Sequence, residues 1–147
     1  REKNLSRAIE LIAERVGTII QQSFIYETAA WGKTNQPNFY NQAIEIETQL
    51  LPEKLLSAIK KIEIEMGREN VEKWSARIID IDIIFYGNEI YESEILTIPH
   101  AFMQDRKFVL EPLNEIASNF VHPILKKTVG ELLQQSTDDL PVMRINL

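Results

Sequence analysis

An α+β domain with a mainly antiparallel sheet is predicted by three features of the sequence. Apolar spacing switches between helical and strand periods, the strand-like runs are joined by short turn signals, and no repeat, low-complexity stretch or linker divides the chain. Leu5, Ala8, Ile9, Ile12 and Val16 recur at helical spacing, and Gly17 follows as a stop, so residues 3–16 read as an amphipathic helix. Thr18 to Glu27 is rich in Ile, Phe and Tyr and reads as one strand, and 29–37 as a loop. A second strand begins near Phe39; its alternation puts Phe39, Asn41 and Ala43 on one face and Tyr40, Gln42, Ile44 and Ile46 on the other. Pro52 suits the first turn of a helix whose Leu55, Ile59, Ile62 and Met66 form the core stripe until Gly67 ends it, with Glu63 beside the stripe. After the polar connection 68–75, the β-branched run Ile78 to Tyr86 reads as a central strand, and Gly87-Asn88 as a hairpin turn into Glu89 to Tyr91. Pro99-His100 marks a turn, Pro112 the start of a short helix around Leu113 and Ile116, and Thr128 to Glu131 a capping-box start. Val142 to Leu147 reads as an edge strand.

With 147 residues, 44% hydrophobic and 26% charged, a single domain over 1–147 is expected. No apolar run reaches the length of a bilayer span, so no membrane partner is expected, and the missing secretory pattern at the amino end suggests a cytoplasmic location. The first helix starts abruptly, with neither cap nor strand before it, and the domain is expected to lack its opening strand within this span. The absence of cysteine excludes disulfides, thiolate zinc sites, iron–sulfur clusters and cysteine nucleophiles. A net charge of −6 argues against a nucleic-acid partner, although Arg68, Lys73 and Arg77 could still gather on a nucleotide phosphate.

The sharpest local feature is Asp80-Ile81-Asp82, two acids at alternate positions of an apolar run. Period two sends both carboxylates to one face, roughly 6.5 to 7 Å apart at Cα, and like charges so placed suit a cation between them. Hard oxygen ligands without His or Cys point to magnesium; an exposed face that happens to be acidic is the alternative, and spacing alone leaves both open. Lys73, Trp74 and Arg77 lie just upstream, and His100, Arg106 and Phe108 downstream. Acids for metal, guanidinium groups for phosphate and an aromatic for a flat ring are the parts of phosphoryl transfer. Each also has an ordinary reading, as a surface ion-pair partner, a turn residue or core.

Taken together, Lys73-Trp74-Ser75-Ala76-Arg77-Ile78-Ile79-Asp80-Ile81-Asp82-Ile83-Ile84 resembles the signature of the 6-hydroxymethyl-7,8-dihydropterin pyrophosphokinases. Tyr26-Glu27-Thr28, Gln36 to Asn41, Thr97 to His100 and Arg106-Lys107-Phe108 follow the family's order and approximate spacing. The resemblance implies a ferredoxin-like sandwich, an antiparallel sheet with helices on its faces. It implies transfer of diphosphate from ATP, as co-substrate, to the pterin hydroxymethyl group, with release of AMP, in folate biosynthesis. Asp80 and Asp82 would hold two magnesium ions. Phe39 and Phe108 would sandwich the pterin, and Asn41 with the backbone from Thr28 to Ala30 would read its edge. Glu63, Trp74, Arg77, Ile83, Thr97, His100 and Arg106 match ATP-site positions, Arg68 and Arg77 match catalytic ones, and Arg68 and Trp74 would belong to a mobile loop closing over the substrates. This chain departs from the family pattern at Ala30, Asn35, Asn70 and Ser75-Ala76. Two other classes stay open: an RNA-binding module stacking bases on Phe39 and Phe108, and an inactive relative serving as a structural or dimerisation domain.

Overall fold

The computed structural model describes residues 2–28, 38–69 and 78–145. Its elements run α1 (Glu2–Arg15), β1 (Thr18–Gln22), β2 (Ile25–Thr28), β3 (Phe39–Asn41), β4 (Ile44–Glu47), α2 (Pro52–Glu69), β5 (Tyr91–Glu92), β6 (Thr97–Ile98), a 3-10 turn Met103–Asp105, α3 (Lys107–Ala117), α4 (Val129–Gln134) and β7 (Val142–Ile145). They fall into two units, Arg1–Ile20 with Ile46–Ile83 and Gln21–Glu45 with Ile84–Leu147. No helix among the described residues is long and apolar enough to cross a membrane.

The first unit is organised by α1 packing on α2. Leu55, Ile59, Ile62 and Met66 of α2 are buried as helical spacing predicts, whereas in α1 Ala8 and Ile12 are joined by Leu11, which the expected stripe left out, and Leu5 and Ile9 are only half-buried. Each of the Leu, Ile and Met side chains contributes roughly 1.5 to 3 kcal/mol when fully buried. Pro52 occupies the first helical position of α2, where its missing N–H costs nothing, and the Leu55 N–H closes the first turn on the Leu51 carbonyl at 2.8 Å. Thr48 ties the end of α1 by donating its hydroxyl to the Val16 carbonyl at 2.7 Å. Gly67 does not end α2. The helix runs through Arg68 to Glu69, whose carboxylate accepts two hydrogen bonds from Arg7 of α1 at 2.9 and 3.3 Å. Arg68 is therefore a last-turn helical residue and not part of a loop. Residues 70–77, with Trp74 and Arg77, lie outside the described residues.

The second unit is built on an antiparallel sheet of order β3-β2-β7, with Tyr26 opposite Asn41 and Arg144, and Thr28 opposite Phe39 and Val142. β7 lies at the edge of that sheet, as its sequence predicts. Thr18 to Glu27 is not one strand but two, β1 pairing with β4 and β2 with β3 and β7. The break falls at Ser23-Phe24, where one backbone bond, Ser23 N to Ala43 O at 2.9 Å, remains and side chains take up the neighbouring backbone groups. The buried Ser23 hydroxyl donates to Phe24 O at 2.7 Å and accepts from Ala43 N at 3.0 Å, while Phe24 N donates to the Glu115 carboxylate at 3.1 and 3.2 Å. The partner strand breaks opposite, at Gln42-Ala43, so the alternation expected from Phe39 through Ile46 does not run unbroken.

α3 packs on β2, β3 and β7 and on α4, and Met103, Leu110, Leu113, Val129 and Leu132 form the core beneath it. The helix starts at Lys107, five residues before the expected Pro112, which lies inside it. Its start is held from far along the chain: Lys107 N donates to Asp138 Oδ2 at 2.9 Å. Thr128 and Glu131 form the expected capping box of α4, each side chain accepting from the other's backbone N–H at 3.1 and 3.0 Å.

His122 is buried, and its Nδ1 accepts the backbone N–H groups of Ile124 at 3.1 Å and Leu125 at 3.0 Å. The ring packs edge-on to Phe85, and burial pushes its pKa below the usual histidine value. Because the folded pKa is depressed, the unfolded chain binds the extra proton first. The stability contributed by neutral His122 is complete above about pH 6.5 and is lost as pH falls toward the lower folded pKa. The urea midpoint is expected to drop between pH 7 and 5, and this slope should flatten in His122→Asn, whose amide oxygen accepts without titrating. An unchanged slope in that variant would remove His122 as its cause.

Candidate functional site

Asp80 and Asp82 lie in a segment that sequence patterning reads as a central strand, but Ile78 to Tyr86 joins no ladder among the described residues. Side chains of the two helices bond its start instead. Asn4 Nδ2 of α1 donates to Ile78 O at 3.4 Å, and Ile81 N donates to Glu63 Oε2 of α2 at 2.8 Å. The alternation survives without the ladder: Asp80 and Asp82 are exposed, whereas Ile79, Ile81 and Ile83 are half-buried. The turn that follows forms, with Glu89 N donating to Tyr86 O at 3.0 Å and Gly87 at φ 54°, a left-handed value that favours glycine, but it closes no hairpin, because neither Ile78 to Tyr86 nor Glu89-Ile90 is in a strand. Beyond it, β5 pairs with β6.

The donor set around the acids suits magnesium. Two exposed carboxylates supply hard oxygens and leave the rest of a shell to water and phosphate, the usual habit of this ion. Among the described residues no group of three or more His, Asp or Glu could hold an ion with protein ligands alone. Glu63, matched by resemblance to the ATP side, proves to be a mostly buried carboxylate. Its side chain is 12% exposed, one oxygen accepts from Ile81 N and the other lies 3.5 Å from Lys60 Nζ. Ile83 follows Asp82 in the same segment, and Arg68 is exposed on α2, five residues beyond Glu63.

In the second unit, Thr28, Phe39 and Asn41 share the β2–β3 ladder. Thr28 is buried and accepts from Asn41 Nδ2 at 3.5 Å, which orients the amide, and Phe39 is 55% exposed, an aromatic face left to solvent. Phe108 is half-buried in the first turn of α3, the helix that packs on both strands. Ala30 lies outside the described residues.

Thr97 is exposed on β6, next to the buried Ile98 and Pro99 that lead into His100. The His100 backbone N donates to Ile84 O at 3.0 Å, and its Nδ1 accepts from Phe102 N at 3.3 Å, so the neutral ring carries its proton on Nε2, available as a donor. The Arg106 guanidinium lies 5.4 Å from the Phe102 ring centroid and 6.0 Å from that of Phe108, within cation–π range of both. The Asp138 bond to Lys107 N fixes the backbone between Arg106 and Phe108. Phe102 thus links His100 to Arg106, which in turn meets Phe108; sequence patterning overlooks Phe102 although it stands two residues after His100 and four before Arg106. Asp138 and the Glu63–Ile81 bond leave no local mark in the sequence.

Comparison with known proteins adds independent findings. The family model described as 7,8-dihydro-6-hydroxymethylpterin-pyrophosphokinase (HPPK) matches residues 1–118. A 2-amino-4-hydroxy-6-hydroxymethyldihydropteridine pyrophosphokinase of Aquifex aeolicus is 43% identical over 131 residues, 89% of this chain and 81% of that one. The protein of the same name from Haemophilus influenzae is 40% identical over 137 residues, 92% and 85% of the two chains. Folic acid synthesis protein fol1 of Pneumocystis carinii is 37% identical over 138 residues, which is 94% of this chain but 19% of the larger protein. Among solved structures, HPPK-DHPS in complex with substrates matches with TM-score 0.71 at 18% identity, over 89% of this chain and 40% of that one. At that identity the likeness concerns the fold, a mixture of helices and antiparallel strands.

Proposed function

Since the chain belongs to the 7,8-dihydro-6-hydroxymethylpterin-pyrophosphokinase family, we propose that it transfers diphosphate from ATP to the hydroxymethyl group of 6-hydroxymethyl-7,8-dihydropterin, in folate biosynthesis, on a ferredoxin-like sandwich. The observation that carries this reading is the family match over residues 1–118, a span that contains every residue given a role here. The pterin hydroxymethyl oxygen attacks the β-phosphorus of ATP, the bond from that phosphorus to the α,β-bridging oxygen breaks, AMP leaves, and the hydroxyl proton passes to solvent.

Asp80 and Asp82 would hold two magnesium ions; such ions, when bound, neutralise phosphate charge and polarise the attacking hydroxyl. His100, through Nε2–H, and Arg106 donate to phosphate oxygens, and Thr97 and Ile83 would serve ATP as the family resemblance implies. Arg68 and Arg77 serve as further cations, and Trp74 belongs with them. The Arg106 guanidinium, set against two aromatic rings, is held in orientation before the anion arrives, which lowers the ordering cost of binding. Phe39 and Phe108 stack the pterin; Asn41, oriented by Thr28, and the backbone toward Ala30 read its hydrogen-bonding edge. No covalent intermediate is required, and positioning of this kind can contribute roughly 7 to 11 kcal/mol to catalysis. A cytoplasmic setting fits these substrates. The acidic net charge and the exposed Asp80 and Asp82 favour this reading over an RNA-binding module.

Phe39→Ala and Phe108→Ala are each expected to weaken pterin binding severalfold, since an aromatic contact adds about 0.5 to 1.5 kcal/mol beyond burial. ATP affinity should change little in Phe39→Ala. In Phe108→Ala a smaller ATP loss is expected as well, because Phe108 flanks Arg106. Calorimetry with each ligand tests the assignment, and equal losses for ATP and pterin in Phe39→Ala would count against it.

A further inference from the structure

We infer that Glu63 is a positioning residue for the Asp80–Asp82 pair, acting through the peptide N–H of Ile81 and not by touching the nucleotide. The inference rests on the reading of that pair as the metal-holding carboxylates. Ile81 stands between the two acids, and its N–H belongs to the peptide that joins it to Asp80. Holding this N–H orients the peptide after Asp80 and so constrains the backbone from which both acids project. Glu63 Oε2 accepts it at 2.8 Å, a charge-assisted bond.

The carboxylate is itself held. Glu63 adjoins the fully buried Ile62 on α2, in the stretch between Ile59 at 5% and Met66 at 3% exposure, so the helix that carries it is anchored in the core. With 12% of its side chain exposed, Glu63 has little access to water, and Lys60 Nζ at 3.5 Å supplies the nearby positive charge. A carboxylate in such a place loses hydration, and the bond to Ile81 replaces part of it. This bond and the longer one from Asn4 Nδ2 to Ile78 O tie the start of the segment to both helices of its unit. Supporting contacts of this kind typically change metal affinity about 10- to 100-fold when removed.

The test compares Glu63→Gln, whose amide oxygen can still accept from Ile81, with Glu63→Ala, which cannot. Two quantities are read: the magnesium concentration at half-maximal binding of a non-hydrolysable ATP analogue, and hydrogen exchange at the Ile81 amide. Glu63→Ala should raise the magnesium midpoint about tenfold or more and speed Ile81 exchange, with Glu63→Gln close to the wild type in both. If Glu63→Ala does not fold, Glu63→Asp, which retracts the carboxylate by one methylene, must show the raised midpoint and fast exchange. Equal loss of analogue affinity in Gln and Ala variants, with magnesium midpoint and Ile81 exchange unchanged, would overturn the inference and place Glu63 on the nucleotide. Asp80→Asn in the same titration separates the underlying reading: an unchanged midpoint there would show that the aspartates do not hold metal, whatever the state of the Ile81 amide.

Discussion

Asp80→Asn and Asp82→Asn are each expected to reduce turnover by on the order of 10³-fold, the scale seen when a single preorganised charge-stabilising group is removed from an active site. A neutral amide keeps the shape and one oxygen of the carboxylate, but it supplies no negative charge to a divalent ion. Stability should hardly change. Both side chains are exposed, so little packing is lost, and a polar contact at an exposed carboxylate contributes at most about 1 kcal/mol. Steady-state rates over a magnesium series, with urea denaturation as control, check this. Near-normal turnover of either variant at limiting magnesium would contradict the role given to the pair.

The largest structural effect is expected at Gly17. It follows α1, and its N–H donates to Ile12 O at 3.2 Å. A Cβ built there would run into the backbone carbonyl of Glu47 in β4. Backbone cannot swing aside as a flexible side chain can, so Gly17→Ala must displace either the end of α1 or β4. Overpacking of this kind costs about 1 to 3 kcal/mol, and more where neighbours are rigid. Gly67 is the counterpart: a Cβ there meets nothing within 4 Å, and the residue is interior to α2. Gly67→Ala should therefore stabilise by roughly 0.8 to 1 kcal/mol. Urea denaturation of the two variants should give shifts of opposite sign, and a neutral Gly17→Ala would mean that the close approach of β4 is not maintained.

The two glycines also show where the sequence is legible. The stripes of α1 and α2 lie at helical spacing because each helix buries one face; that of α2 can be read directly, and that of α1 apart from Leu11. The capping box at Thr128 and the turn at Gly87 are equally local. What cannot be read is set by distant groups. Ser23 and Glu115 split an apparently continuous strand, Asp138 starts α3 five residues before its proline, and Glu69 finds Arg7 on another helix, so α2 outlasts Gly67. The chemistry-bearing residues divide similarly. Asp80 and Asp82 announce themselves because acids in an apolar run are unusual, whereas the groups that position them and their counterparts, Glu63, Phe102 and Asp138, are ordinary residues whose part depends on contacts 18 or more residues away or on an exposed ring.

The central claim is diphosphate transfer, and the stoichiometry of products tests it most directly. With ATP, magnesium and 6-hydroxymethyl-7,8-dihydropterin, chromatography coupled to mass spectrometry should show AMP and a pterin carrying two added phosphoryl groups, in equal amounts and neither without pterin. Formation of ADP with a singly phosphorylated pterin, or AMP release that does not depend on pterin, would contradict it.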